Sequence, residues 1–195
     1  MIVMAKKNEF KPDKPQSGLL HKLYLTPKQR LSALKWGLYA LVLLVLSVLQ
    51  DVILCRIRLF GAATELVPCG IFLICILEGS ERGSLFALLS ALAYLFSGTA
   101  PGPYAMVFIT FLAIGFSILR QSYFQKGFGA AMLCTVMAMA LYEVGVFAIG
   151  VFLGLTHSGR FMSFGITALL SAVAAPVLYP ILLSIGTIGG ESWKD

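Results

Sequence analysis

Six apolar runs, separated by short charged or Gly/Pro-rich breaks, occupy most of this chain and leave it few ways to fold. They cover roughly 36–54, 59–77, 84–96, 104–119, 128–154 and 162–188. A helix crossing the hydrocarbon layer of a bilayer needs about 20 such residues. Inside lipid, only a helix or a closed barrel satisfies its own backbone groups. The third and fourth runs are short and meet at the break Ser97-Gly98-Thr99-Ala100-Pro101-Gly102-Pro103. The expected fold is an all-α integral membrane protein, a six-transmembrane-helix bundle. With 58% hydrophobic and 12% charged residues, and a mean hydropathy of +0.88, the chain cannot cover a water-facing surface, because soluble domains carry about 25% charge. A soluble enzyme and a disordered chain are excluded.

The net charge of +6 has a definite address. Residues 1–35 hold eight Lys/Arg (Lys6, Lys7, Lys11, Lys14, Lys22, Lys28, Arg30 and Lys35) against Glu9 and Asp13. The membrane domain, 36–190, is nearly neutral, and the tail 191–195 is slightly acidic. A polar basic segment ahead of the first apolar run suits anionic headgroups of the lipid bilayer. It offers no folded basic face with interleaved aromatics, so nucleic acid is not an expected partner. With the N-terminus inside, twelve Lys/Arg fall on the cytoplasmic side and three (Arg56, Arg58 and Arg160) outside. The positive-inside rule therefore orients the chain N-in and C-in, as a multi-pass protein with two cytoplasmic tails. Trp36 and Trp193 then fall at the cytoplasmic headgroup level. The 35-residue polar lead and the lack of a small-residue cleavage site argue against a secretory signal.

Little in the chain resembles catalysis. His21 lies in the polar tail and His157 in the loop after the fifth run, with no partner grouping of Ser, His and carboxylate and no HExxH. Cys55, Cys69, Cys75 and Cys134 lie in or beside apolar runs at no metal-ligand spacing and behave as small apolar residues. Neither a metal nor a cofactor is expected, and the protein is not expected to be an enzyme.

The informative polar residues are the carboxyls at membrane depth. Glu143 stands near the middle of the fifth run, where burying a charge costs roughly 2.5–3.5 kcal/mol. It is expected to face the bundle, where it is hydrogen-bonded within it, touches a partner helix or holds a ligand or proton. Asp51 closes the first run and Glu65 opens the second, with Arg56 and Arg58 between them, and Asp51 is read as part of a surface pairing at the outer headgroups. Small-xxx-small spacings at Gly150…Gly154, Gly186…Gly190, Ala87…Ala91 and Ala168…Ala172 permit close helix approach. Pro176 and Pro180 fall on one face of the sixth run, read as a packing bend or a cavity wall.

The order of the short motifs resembles a known family. Leu59-Phe60-Gly61, Glu65-Leu66, Glu78-Gly79-Ser80-Glu81-Arg82-Gly83-Ser84, Ser97-Gly98…Pro101-Gly102-Pro103-Tyr104, Leu141-Tyr142-Glu143 and Tyr179-Pro180 together resemble MreD, the rod shape-determining membrane protein, over roughly 36–185. The chain departs from the family pattern at Thr64-Glu65, where members usually carry Pro-Asp, and at Tyr94, where an acidic residue is common. The resemblance implies a non-catalytic component of the bacterial cell-wall elongation machinery in the plasma membrane. Such a protein binds the bitopic MreC and links peptidoglycan synthesis, through RodA and its penicillin-binding protein, to the MreB cytoskeleton. The partner-interface candidates are Glu143, Tyr142, Glu65, Gly98, Pro101, Gly102, Tyr104, Tyr179 and Pro180. The family fold is similar to that of substrate-binding subunits of energy-coupling-factor vitamin transporters, which supplies the alternative function.

Overall fold

The structure is a computed structural model that describes residues 27–54, 56, 62–124 and 127–188. Most of the basic tail, the C-terminal tail 191–195, Cys55, Arg58, Lys126 and the Leu59-Phe60-Gly61 motif lie outside the described residues. Six α-helices follow in chain order: α1 (Pro27–Leu49), α2 (Leu66–Glu78), α3 (Ser80–Phe96), α4 (Pro103–Tyr123), α5 (Phe128–Phe152) and α6 (Phe161–Gly186). A π-helical turn, Gln50–Leu54, extends α1, and a short 3-10 turn, Ser158–Arg160, leads into α6. No β-strand occurs among the described residues.

Four segments are long and apolar enough to cross a membrane: Gln29–Leu54, Pro103–Tyr123, Phe128–Phe152 and Ser158–Gly186. The outward faces agree with a lipid solvent, since side chains such as Phe111 and Val173 are 76% and 71% exposed. At 1.5 Å rise per residue, the 13 residues of α2 reach only about 20 Å, short of a hydrocarbon layer of about 30 Å.

That short helix is the axis of the bundle. Every residue from Leu66 to Ile76 is buried, and α2 packs against all five other helices. Helices α3, α4, α5 and α6 pack successively around it, while α1 lies on α2 and meets α3 at few points. In lipid, where apolar burial between helices gives little driving force, close packing of small side chains does the work. Gly83, Ala87 and Ala91 are all buried on α3, and a Cβ at Gly83 would stand 3.0 Å from the Cys75 backbone of α2. The expected Ala87…Ala91 approach thus extends one turn further, to Gly83.

Side chains from other helices cap both ends of α2. The Gln50 side-chain carbonyl, carried inward by the π-helical turn, accepts hydrogen bonds from the backbone N–H groups of Leu66 (2.8 Å) and Val67 (3.0 Å). The Glu65 N–H donates to Ser171 Oγ on α6 at 2.8 Å. At the other end, Ser117 Oγ donates to the Cys75 carbonyl at 3.1 Å and the Arg120 guanidinium donates to the Ile76 carbonyl. The four N–H and four C=O groups that any helix leaves open are here met largely by side chains from α1, α4 and α6. Gly79 then reverses the chain into α3 at φ +92°, a conformation that favours glycine.

Two sequence expectations change. Lys35, counted with the polar tail, lies inside α1, is 7% exposed and forms an ion pair of 2.7 Å with Glu78. Its partner at the end of α2 holds it in the bundle, and α1 begins at Pro27, a residue suited to the first position of a helix. Pro176 and Pro180 line neither a cavity nor a packed interface: both face outward, and α6 runs unbroken through them. Each removes one N–H donor from the ladder, a break that membrane helices tolerate.

Candidate functional site

Near one end of the bundle, α2 starts, α5 and α3 end, and α6 begins. Three observations meet there. Glu143 is 3% exposed, turned inward from α5 by the same face that buries Ala138, Met139, Tyr142 and Val146. Glu65, at the start of α2, is half-buried and lies within electrostatic reach of Glu143. Between them opens a cavity of about 410 Å³, walled further by Pro101 and Tyr104 of the break and by Ser163 and Thr167 of α6.

The cluster is incompletely satisfied. Glu65 Oε2, Glu143 Oε1 and the hydroxyls of Tyr94 and Tyr142 are buried without a hydrogen-bond partner. The Tyr142 hydroxyl stands beside the Glu65 carboxyl yet lacks hydrogen-bond geometry to it. Tyr94 feels both carboxyls and Asp51. Arg160 lines the cavity but is exposed, and no ion pair joins it to either glutamate among the described residues. Buried polar atoms are ordinarily bonded, so such a concentration of exceptions in one place makes this the candidate site of the molecule.

The surface pairing expected for Asp51 is not formed among the described residues, where Oδ1 is buried and unpartnered. Asp51 lies in the π-helical turn, Gln50–Leu54, half-buried and within electrostatic reach of Tyr94.

Of the residues singled out from sequence, Glu65, Glu143, Pro101 and Tyr104 converge on the cavity, and Tyr142 lies behind Glu65. The break holds itself together, with Tyr104 OH donating to the Pro101 carbonyl at 3.1 Å and Ser97 Oγ to the Tyr94 carbonyl at 2.7 Å. Gly98 turns it at φ +78°, and Gly102 makes room for the Tyr104 ring. Tyr179 is not part of this site. It packs edge-on against Phe128, 4.9 Å between centroids, near the opposite end of the bundle, and Pro180 beside it faces outward. His157 is exposed, and among the described residues no cluster of His, Cys, Asp and Glu could hold a metal.

Sequence reasoning missed the hydroxyl stripe of α6. Ser163, Thr167 and Ser171 recur at i, i+4 and i+8, the spacing of one helical face, and this stripe supplies two cavity walls and a cap for Glu65. Gln50 was equally overlooked, and nothing local in the sequence distinguishes it from any polar residue at a helix end.

A second feature is lateral. Because α1 stands off α3, an apolar groove of about 450 Å³ runs between them. Ala40 and Ser47 of α1 and Ser90 and Ala93 of α3 flank it, with Val67 and Tyr94 at its floor.

Comparison of the chain with family models, with curated proteins and with solved structures finds no match.

Proposed function

We propose that this chain is a non-catalytic, multi-pass scaffold of the bacterial cell-wall elongation machinery, acting in the plasma membrane in the manner the resemblance to MreD implies. In this reading all six helices are membrane-embedded, N-in and C-in, with the basic tail on cytoplasmic anionic lipid. The partner is an MreC-like bitopic protein, and through it RodA, its penicillin-binding protein and MreB.

The observation that supports the reading is the groove between α1 and α3. It faces lipid, and its small flanking side chains at Ala40, Ser47, Ser90 and Ala93 are the kind that let a further helix approach closely, with serines available for an interhelical hydrogen bond. A bitopic protein offers one such helix.

The test is purification of the tagged chain from its host membrane, with Ala93→Phe filling the groove and Val173→Phe on the lipid face of α6 as control. The expected result is loss of at least ten-fold of the co-purifying MreC-like protein in Ala93→Phe alone, and loss of rod shape on depletion. Undiminished partner recovery with Ala93→Phe, together with rod-shaped depleted cells, overturns the reading.

The 410 Å³ cavity favours a second reading, a substrate-binding subunit of an energy-coupling-factor transporter, because convergent polar groups in an apolar setting of that volume suit a small ligand. Neighbouring genes separate the two: shape genes on the first reading, transporter ATPase genes on the second.

A further inference from the structure

The cavity at Glu65 and Glu143 carries an inference that stands apart from the scaffold reading. Its volume, about 410 Å³, lies within the range of small-ligand sites, roughly 300–1,000 Å³. Its polar character is one-sided. Two carboxyls from different helices, Glu65 before α2 and Glu143 in α5, line the same space, and each has a buried oxygen with no hydrogen-bond partner. Glu143 is 3% exposed. A cationic donor placed between the two carboxyls would meet both oxygens with charge-assisted hydrogen bonds. Arg160 on the cavity wall does not serve as that cation: it is exposed and unpaired with either glutamate among the described residues. The hydroxyl stripe of α6, Ser163 and Thr167, adds acceptors on the facing wall, and the Phe164 and Tyr104 rings border the same volume.

We propose that this cavity binds a small organic molecule bearing a primary ammonium group, which sits between the Glu65 and Glu143 carboxyls while the apolar body of the molecule lies against Phe164 and Tyr104. A primary ammonium has three donors and no acceptor. Two of these meet the unpartnered oxygens of Glu65 and Glu143, and the third meets a hydroxyl of the α6 stripe. A neutral alcohol of the same shape has one donor to share between the two carboxyls, and a carboxylate has none. An aromatic ring beside a cation is a further favourable contact.

The experiment uses the full-length protein in detergent micelles and three probes of one shape: benzylamine, benzyl alcohol and benzoate. Binding is read by thermal shift and by isothermal titration. Benzylamine is expected to bind saturably and raise Tm, with at least ten-fold weaker binding of the alcohol and none of benzoate. Glu143→Gln and Glu65→Gln, which keep size and hydrogen-bonding capacity, are each expected to weaken benzylamine at least ten-fold while keeping the ligand-free Tm within a few degrees. Two variants on different helices guard against a folding defect in one. Equal responses to the three probes, no response to benzylamine, or unchanged binding in both variants overturns the proposal. Partner recovery in the groove experiment does not depend on these variants, so either idea fails without the other.

Discussion

The two ends of this bundle solve the problem of polar groups in lipid in opposite ways. At one end, Lys35 and Glu78 form a buried ion pair at 2.7 Å, Tyr39 OH donates to the same carboxyl at 2.6 Å, and Ser117 and Arg120 cover the last carbonyls of α2. Almost every charge there has a partner within the chain. At the other end, Glu65, Glu143, Asp51, Tyr94 and Tyr142 crowd together with five unpartnered oxygens and a cavity among them. The first arrangement locks α1, α2 and α4 together. The second leaves its polar oxygens without partners beside an open cavity. The two arrangements stand at opposite ends of one short helix.

The contrast is broken most forcefully at the locked end. Glu78→Ala leaves Lys35 buried without its counter-charge, and such removals cost about 3–5 kcal/mol. The expected result is the largest fall in Tm of any single substitution, or loss of the folded protein, read by thermal unfolding in detergent. The double replacement of Lys35 and Glu78 by Met and Leu is expected to recover most of that loss, because a matched apolar pair leaves no uncompensated charge.

Next in size is the axis itself. Gly83→Ala pushes a methyl to 3.0 Å from the Cys75 backbone, where neither helix can yield cheaply, and overpacking of this kind costs about 1–3 kcal/mol. A Tm equal to that of the parent protein would show that α3 and α2 are less tightly apposed than described.

Gln50→Ala removes the acceptor for two N–H groups of α2. Loss of a helix cap costs about 1–2 kcal/mol, and the exposed amides should show in faster hydrogen exchange at Leu66 and Val67, with the opposite end of α2 unchanged.

The smallest effects are expected among the unpartnered acids. Glu143→Gln and Asp51→Asn replace carboxyls that have an unpartnered buried oxygen by amides of the same size, so thermal stability should stay within about 1 kcal/mol of the parent or rise slightly. A large destabilisation by Glu143→Gln would mean that this end is locked like the other, and the contrast would collapse.

How far the sequence was legible varies along the chain. Each of the six apolar runs contains a helix, because run length and hydropathy report directly on what can sit in lipid. The first apolar run starts at Trp36, nine residues after α1 begins at Pro27, because a lysine beside an apolar run reads as a boundary unless its counter-charge is known. That counter-charge, Glu78, lies 43 positions away and only folding brings it near. The second run was assigned 59–77, yet α2 begins at Leu66, since its start is set by Gln50 and Ser171 from other helices. Glu143 announced itself by depth alone, whereas its association with Glu65, Tyr94 and Tyr142 had no sequence signal.

By itself, then, the sequence determined the solvent and the secondary structure. A chain this apolar must live in lipid, and in lipid the backbone is helical because each helix bonds its own amides. The tertiary structure alone decided which polar residues meet. Side-chain partners 16 to 143 positions apart are joined by helix packing, which depends on the fit of small side chains across facing surfaces and leaves no periodicity in any single segment. That packing made Lys35 and Glu78 a lock, and left Glu65 and Glu143 facing an open cavity.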